Sequence, residues 1–193
     1  MKKKSGVILL IVIAALVVGA FTFVAFRTPK TVEEVTDVTE KDELMNRNID
    51  VNYPATPREV MKLYNRYLLC LYGAEGGELS SDELNALGKK MRGMYDEELL
   101  EGNPEETNLA SLSQELAAFR SGGKVMIQAN ICGSNEVEFI EVKGSQGALL
   151  EASYFIKKGK EEFSRTYQQF LLRKDEDGKW KILGFEKVNG GGV

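Results

Sequence analysis

The sequence predicts an α+β protein: an N-terminal transmembrane helix, then three helices packed on a curved antiparallel five-strand sheet. Three observations predict it. An uncharged apolar run fills the N-terminus, apolar residues recur at helical spacing between residues 56 and 121, and the period changes to two from Val125 onward. The links between strand-like runs are too short for crossovers, so neighbouring strands should be antiparallel. Helices followed by strands build one layer on another.

The apolar run extends from Gly6 to Phe26 without a charge. As a helix, such a run crosses a hydrocarbon layer of about 30 Å. Lys2, Lys3 and Lys4 precede it, Arg27 and Lys30 follow, and the chain then turns acidic with Glu33, Glu34, Asp37 and Glu40. The stronger basic cluster places the N-terminus in the cytoplasm and the C-terminal domain outside it, on a single-pass anchor in the cell membrane. The competing reading is a cleaved signal peptide, with Val18-Gly19-Ala20 as the cleavage site. Apolar sequence continues past it through Phe21, Phe23 and Phe26, which favours a retained anchor. Both readings export the domain.

The chain divides accordingly. Residues 1–27 are cytoplasmic lysines and anchor, 28–52 an acidic stalk, 53–188 the α+β domain, and 189–193 a flexible tail. In the stalk the valines are too sparse to build a core.

Composition narrows the chemistry. Five of the 25 basic residues lie around the apolar run, so beyond residue 30 there remain 20 basic and 29 acidic residues, net −9. An acidic domain repels phosphate backbones and is no partner for nucleic acid. Histidine is absent from the 193 residues, which excludes Ser-His-Asp and Cys-His catalysis and the histidine zinc sites. Cys70 and Cys132 are the two cysteines and form no CxxC, so a zinc ribbon and a thioredoxin-like motif are excluded. No dinucleotide, P-loop or nucleophile-elbow motif occurs.

Each helix has a start signal. Thr56-Pro57-Arg58-Glu59 combines a capping threonine, proline at the first helical position and glutamate three residues after the cap. Val60, Leu63, Tyr64, Tyr67, Leu68 and Leu71 follow at 3.6 spacing. Ser80-Ser81-Asp82-Glu83 opens a second helix, with Leu84, Leu87, Met91, Met94 and Tyr95 on one face and Gly102 as its stop. Asn103-Pro104-Glu105-Glu106 opens the third, whose stripe is Leu109, Leu112, Leu116 and Phe119; Gly122-Gly123 ends it. The strands run over residues 125–131, 137–142, 148–157, 162–174 and 179–188. They are separated by Cys132-Gly133-Ser134-Asn135, Lys143-Gly144-Ser145, Lys158-Gly159-Lys160 and Asp175-Glu176-Asp177-Gly178. In the first strand Val125, Ile127, Ala129 and Ile131 should face one side. Together the strands predict a five-strand meander.

Helices first, then an antiparallel sheet ending in a long hairpin, resembles the nuclear-transport-factor-2-like (cystatin-like, α+β cone) superfamily. The segments that carry the likeness are Asn52-Tyr-Pro-Ala-Thr-Pro-Arg-Glu-Val60 and the stretch from Tyr167 to Phe185 through Asp175-Glu-Asp-Gly-Lys-Trp-Lys-Ile182. They are also similar to uncharacterised membrane-anchored proteins of Gram-positive anaerobic bacteria. The resemblance covers about residues 50 to 188 and implies a fold and a location, with no assigned activity. The chain departs from the pattern in lacking the extra hairpin between its second and third helices.

Enzymes of that superfamily work in the mouth of the cone, which makes Tyr67, Tyr95, Asp96, Tyr154 and Trp180 the candidate ligand-pocket residues; Tyr167 is a further aromatic of this set. The alternative is that they are packing aromatics, the usual role at helical or strand spacing. Phe139, Phe155, Phe163 and Trp180 could fill the interior; Asp96 or Glu151 could supply a carboxylate opposite a tyrosine. Ser121-Gly122-Gly123-Lys124 fits SxxK formally, but two glycines at a helix end read as a cap. The acidic group Asp96, Glu97, Glu98, Glu101, Glu105 and Glu106 lacks a calcium-loop pattern and reads as a solvated helix face, so no metal is expected. Cys70 and Cys132 are either a disulfide tying the first helix to the sheet or two buried thiols. The function that follows is a membrane-anchored extracytoplasmic binding or assembly module without cofactor. Its partners are the bilayer through residues 6–26 and an envelope protein or small ligand. The alternative is a cone-fold isomerase- or cyclase-type enzyme with a carboxylate–tyrosine site.

Overall fold

The computed structural model describes residues 38–74 and 76–190. The anchor expected over residues 6–26 lies outside the described residues, as does the stalk up to residue 37. Among the described residues no helix is long and apolar enough to cross a membrane.

The second half of the expected stalk belongs to the domain. Glu40–Asn46 forms α1, whose cap Thr39 accepts from the Asp42 amide while the Asp42 carboxylate accepts from the Thr39 amide. Leu44 is fully buried and Ile49 nearly so. Two apolar residues suffice here because they close a face that the next helices already supply. Lys41 pairs with Glu83 at 2.7 Å, and Arg66 with Glu40 at 2.6 Å, holding α1 from both sides.

α2 (Pro57–Tyr72) starts where expected, with Thr56 and Glu59 capping each other's backbone N–H groups. α3 opens on Ser80 and Glu83 in the same way, but spans only Ser81–Arg92. The single helix expected to run to Gly102 is broken. Gly93 ends α3, and Met94–Asp96 leaves the helix to lie along a strand edge: the Asp96 amide donates to Ile182 O and the Ile182 amide to Met94 O, both at 2.8 Å. Asp96 then caps the short α4 (Glu97–Gly102) through the Glu98 amide. The 3.6 spacing of Met91, Met94 and Tyr95 continues across the break, so periodicity alone gives no sign of it. α5 spans Glu105–Ser121. Its expected asparagine cap is not used; the Asn103 side chain donates back to Leu99 O, closing α4 instead. Gly122 and Gly123, the latter at φ +65°, end α5 as the cap reading of that sequence requires.

The five strands are β1 (Lys124–Ile131), β2 (Glu138–Val142), β3 (Ser145–Lys158), β4 (Glu162–Lys174) and β5 (Trp180–Val188). They form one antiparallel sheet, but not a meander. β1 and β2 both pair with β3: Lys124–Ile131 lies against residues 158 to 152, and Glu138–Val142 against 149 to 145. They are therefore two pieces of one interrupted lane along one edge of β3, with β4 and β5 beyond its other edge. The cause is in the turns. Lys143-Gly144 has φ 51° and 81°, the left-handed pair that reverses a chain in two residues. Gly133 has φ −60°, ψ 160°, and Ser134–Glu136 follows as a single 3₁₀ turn, so the chain steps sideways and continues in the same direction.

A bulge at Ile127 refines the alternation of β1. Met126 pairs with Ile156 but Gln128 with Phe155, so Ile127 is the extra residue and is exposed, while Met126 is buried. Beyond the bulge Ala129 and Ile131 face inward as expected. The core lies between the helices and one sheet face: Val60, Tyr67 and Leu71 of α2 and Leu87 of α3 meet Ala148, Leu150, Phe170, Leu172 and Ile182. The other sheet face carries Glu151, Phe155, Phe163 and Tyr167, and the described helices pack on the opposite one. Of the four aromatics considered as interior filling, Trp180 is buried, Phe155 is half-buried on the outer face, and Phe139 and Phe163 are exposed.

Candidate functional site

The longest cavity wall is built by two helices over the sheet. α2 presents Tyr64, Leu68 and Tyr72 at four-residue spacing, a second stripe beside the one that fills the core. α5 presents Asn108, Ser111, Leu112, Glu115 and Phe119, one face over three turns. α3 contributes Gly88 and Met91, and the loop after it contributes Tyr95. The sheet closes the floor with Met126, Tyr154 and Ile156, and with Thr166, Gln168 and Phe185. The space is about 290 Å³ and open on one side. Gly88 lets α5 come this close: a Cβ there would lie 2.6 Å from Leu109 Cδ2 and 3.1 Å from Leu112 Cδ2.

Four tyrosines converge on the cavity. Burial raises the pKa of all four hydroxyls; Tyr95 raises that of Tyr64 further, and Glu115 that of Tyr72. They stay neutral donors at physiological pH. The Tyr64 hydroxyl has Tyr95 as its neighbour, and that of Tyr72 has the Glu115 carboxylate. Tyr154 donates to Asn65 Oδ1 at 3.2 Å. The rings are inclined, not stacked: Tyr64 and Tyr95 at 49°, Tyr72 and Phe119 at 88°. Among the described residues no lysine or arginine lines the space, and Glu115 is its one carboxylate.

The candidate residues are thus divided. Tyr95 and Tyr154 line the cavity. Tyr67 does not; it is fully buried, with its hydroxyl on Leu44 O. Trp180 is in the core, its carbonyl accepting the Tyr53 hydroxyl at 2.6 Å. Asp96 is buried but committed to Arg173, which it meets through both oxygens at 2.5 and 3.0 Å. Glu98 joins this group through Lys143 and Arg173, and Glu105 pairs with Lys89, while Glu97, Glu101 and Glu106 are exposed. Glu151 points to the outer sheet face, opposite Gln169. Neither Cys70 nor Cys132 is in a disulfide.

The residues that reading for single motifs missed are Tyr64 and Tyr72 as a pair, Glu115 and Phe185. A signal was present: α5 carries Asn108, Ser111 and Glu115 interleaved with Leu112 and Phe119, a helix face of mixed polarity.

Over residues 1–185 the chain matches the family described as a domain of unknown function, DUF6715. It belongs to that family. No curated protein matches this DUF6715 chain. Among solved structures it is similar to CagV, a VirB8 homolog of the T4SS from Helicobacter pylori, at 13% identity and TM-score 0.38, with 64% of this chain and 91% of that one covered. A likeness that small carries no functional argument.

Proposed function

We propose that this chain is a membrane-tethered, extracytoplasmic binding module, and that the cavity beneath α5 is its ligand site. One observation carries the reading: a preformed concavity with mostly apolar and aromatic walls and a few convergent polar groups, close to the lower end of the range of small-molecule sites, about 300 Å³. The tether rests on the uncharged Gly6–Phe26 run and its flanking lysines. The family match starts at residue 1 and so includes that run. The arrangement of helices over one sheet face is what a nuclear-transport-factor-2-like fold implies, and the resemblance of Asn52–Val60 and Tyr167–Phe185 supports a bacterial envelope setting. The alternative, an isomerase- or cyclase-type enzyme, is favoured by the Tyr72–Glu115 pair. It would need a carboxylate shielded from water, and Glu115 is exposed.

Amide shift mapping of the fragment 38–193 against a library of small aliphatic and aromatic compounds tests the site. Binders should shift residues around Tyr64, Tyr72, Tyr95 and Tyr154, and Ser111→Phe, which fills the space, should abolish the shifts. Binders that map only elsewhere would remove the cavity from the proposal. Protease treatment of intact cells should remove the domain and spare the extreme N-terminus; a released protein beginning at Phe21 would exclude the anchor.

A further inference from the structure

We propose that the cavity ligand is an organic cation, a compact amine or quaternary ammonium group on a short chain. The inference rests on the cavity being the ligand site and adds the charge of what enters it. Six aromatic rings line one small space: Tyr64, Tyr72, Tyr95, Phe119, Tyr154 and Phe185. The faces of such rings carry negative potential and attract cations. Because neighbouring rings are tilted by 49° and 88°, they surround a volume and do not seal each other off as a stack. Phe119 already shows the preference, with the Lys124 ammonium 5.9 Å from its centroid.

The polar groups point the same way. Among the described residues Glu115 is the only charged side chain lining the space. An anionic ligand would meet both this carboxylate and the ring faces and be repelled by each. A wholly apolar ligand would strip water from the carboxylate and return nothing for it. A cation is attracted by the rings and by Glu115 together. Arg92, whose charge lowers the pKa of Tyr95, and Lys124 are not among the residues that line the cavity. Tyr154 donates its hydroxyl to Asn65, and the Tyr72 hydroxyl has the Glu115 carboxylate beside it, so the rings supply most of the wall that a ligand meets.

Residues 38–193 form one compact unit with their own core, so this fragment serves for calorimetric titration. The probes are choline, its neutral carbon isostere 3,3-dimethylbutan-1-ol, and butyrate. Choline should bind at least about tenfold more tightly than the isostere, and butyrate not at all. Glu115→Gln, at an exposed position that does not threaten folding, should weaken choline about tenfold and tighten the isostere, so that the preference for the cation shrinks. Tyr72→Phe, which keeps the ring, should leave choline binding within about twofold, since cation–ring attraction does not need the hydroxyl. Equal or tighter binding of the isostere, or preference for butyrate, overturns the cation while the cavity stands as a neutral or anionic ligand site. Failure of choline to bind at millimolar concentration overturns it too. The two proposals then separate: cavity shifts from other compounds leave the site in place, and none from any compound removes both.

Discussion

Asp96 shows how much one side chain can hold. It is 3% exposed, caps α4, and meets Arg173 through two hydrogen bonds at the point where the chain leaves α3. A carboxylate this buried costs several kcal/mol to desolvate and is tolerated only with a bidentate partner. Removing Arg173 leaves the buried Asp96 charge uncompensated, which is costlier than losing the pair, whereas removing Asp96 leaves Arg173 with Glu98. We therefore expect Arg173→Ala to lower unfolding free energy by about 3 kcal/mol, and Asp96→Ala by less. The double variant Asp96→Ala, Arg173→Ala should lose clearly less than the sum of the single losses. Urea denaturation of the four proteins measures this, and additive losses would mean that the pair does not act as a unit.

At the scale of elements, two glycine turns in one sheet have opposite requirements. Gly144 sits at φ 81° with open space around its Cα, so any side chain meets backbone strain and no clash. Gly133 is in ordinary extended conformation, and a Cβ there would meet only the ends of the Asn135 and Glu136 side chains. Gly144→Ala should cost about 1–2 kcal/mol and loosen the β2–β3 hairpin. Gly133→Ala should stay within about 0.5 kcal/mol of the parent. Denaturant midpoints of the two variants test this, and the reverse ranking would mean that the β1–β2 step needs a glycine conformation it does not show. The same contrast explains why a meander is not formed: both links contain glycine, but only one has the left-handed pair that turns a strand back on its neighbour.

For the whole molecule, the boundary of the domain lies before residue 40. α1 buries Leu44 completely, accepts the Tyr67 hydroxyl on its last turn, and is clamped by Lys41–Glu83 and Arg66–Glu40. Leu44→Ala should cost about 3 kcal/mol, within the range for truncating a fully buried leucine. A fragment beginning at residue 53 should melt well below the fragment 38–193, because Tyr67, Leu71 and Leu87 lose their cover. Equal melting temperatures by differential scanning calorimetry would return residues 38–52 to the role of spacer.

The helix starts at Thr56 and Ser80, the stop at Gly122-Gly123, the five strand segments and the Lys143-Gly144 reversal are legible in the chain itself. Each rests on forces that act within a few residues: a side chain satisfying an amide three positions on, or a φ that only certain residues accept. The departures all depend on segments far apart in sequence. β1 and β2 share an edge of β3 because β3 is long enough to hold both. α3 stops where Met94–Asp96 finds Ile182 and Arg173, about eighty residues ahead. Leu44 counts as core only once α2 and α3 lie beneath it. The cavity is the furthest from any local signal. Tyr64 and Tyr72 read as ordinary helix stripe, Glu115 as a solvated face and Phe185 as the end of a strand. They become one site because α5, drawn onto α3 at Gly88, leaves a space between surfaces that no single segment defines.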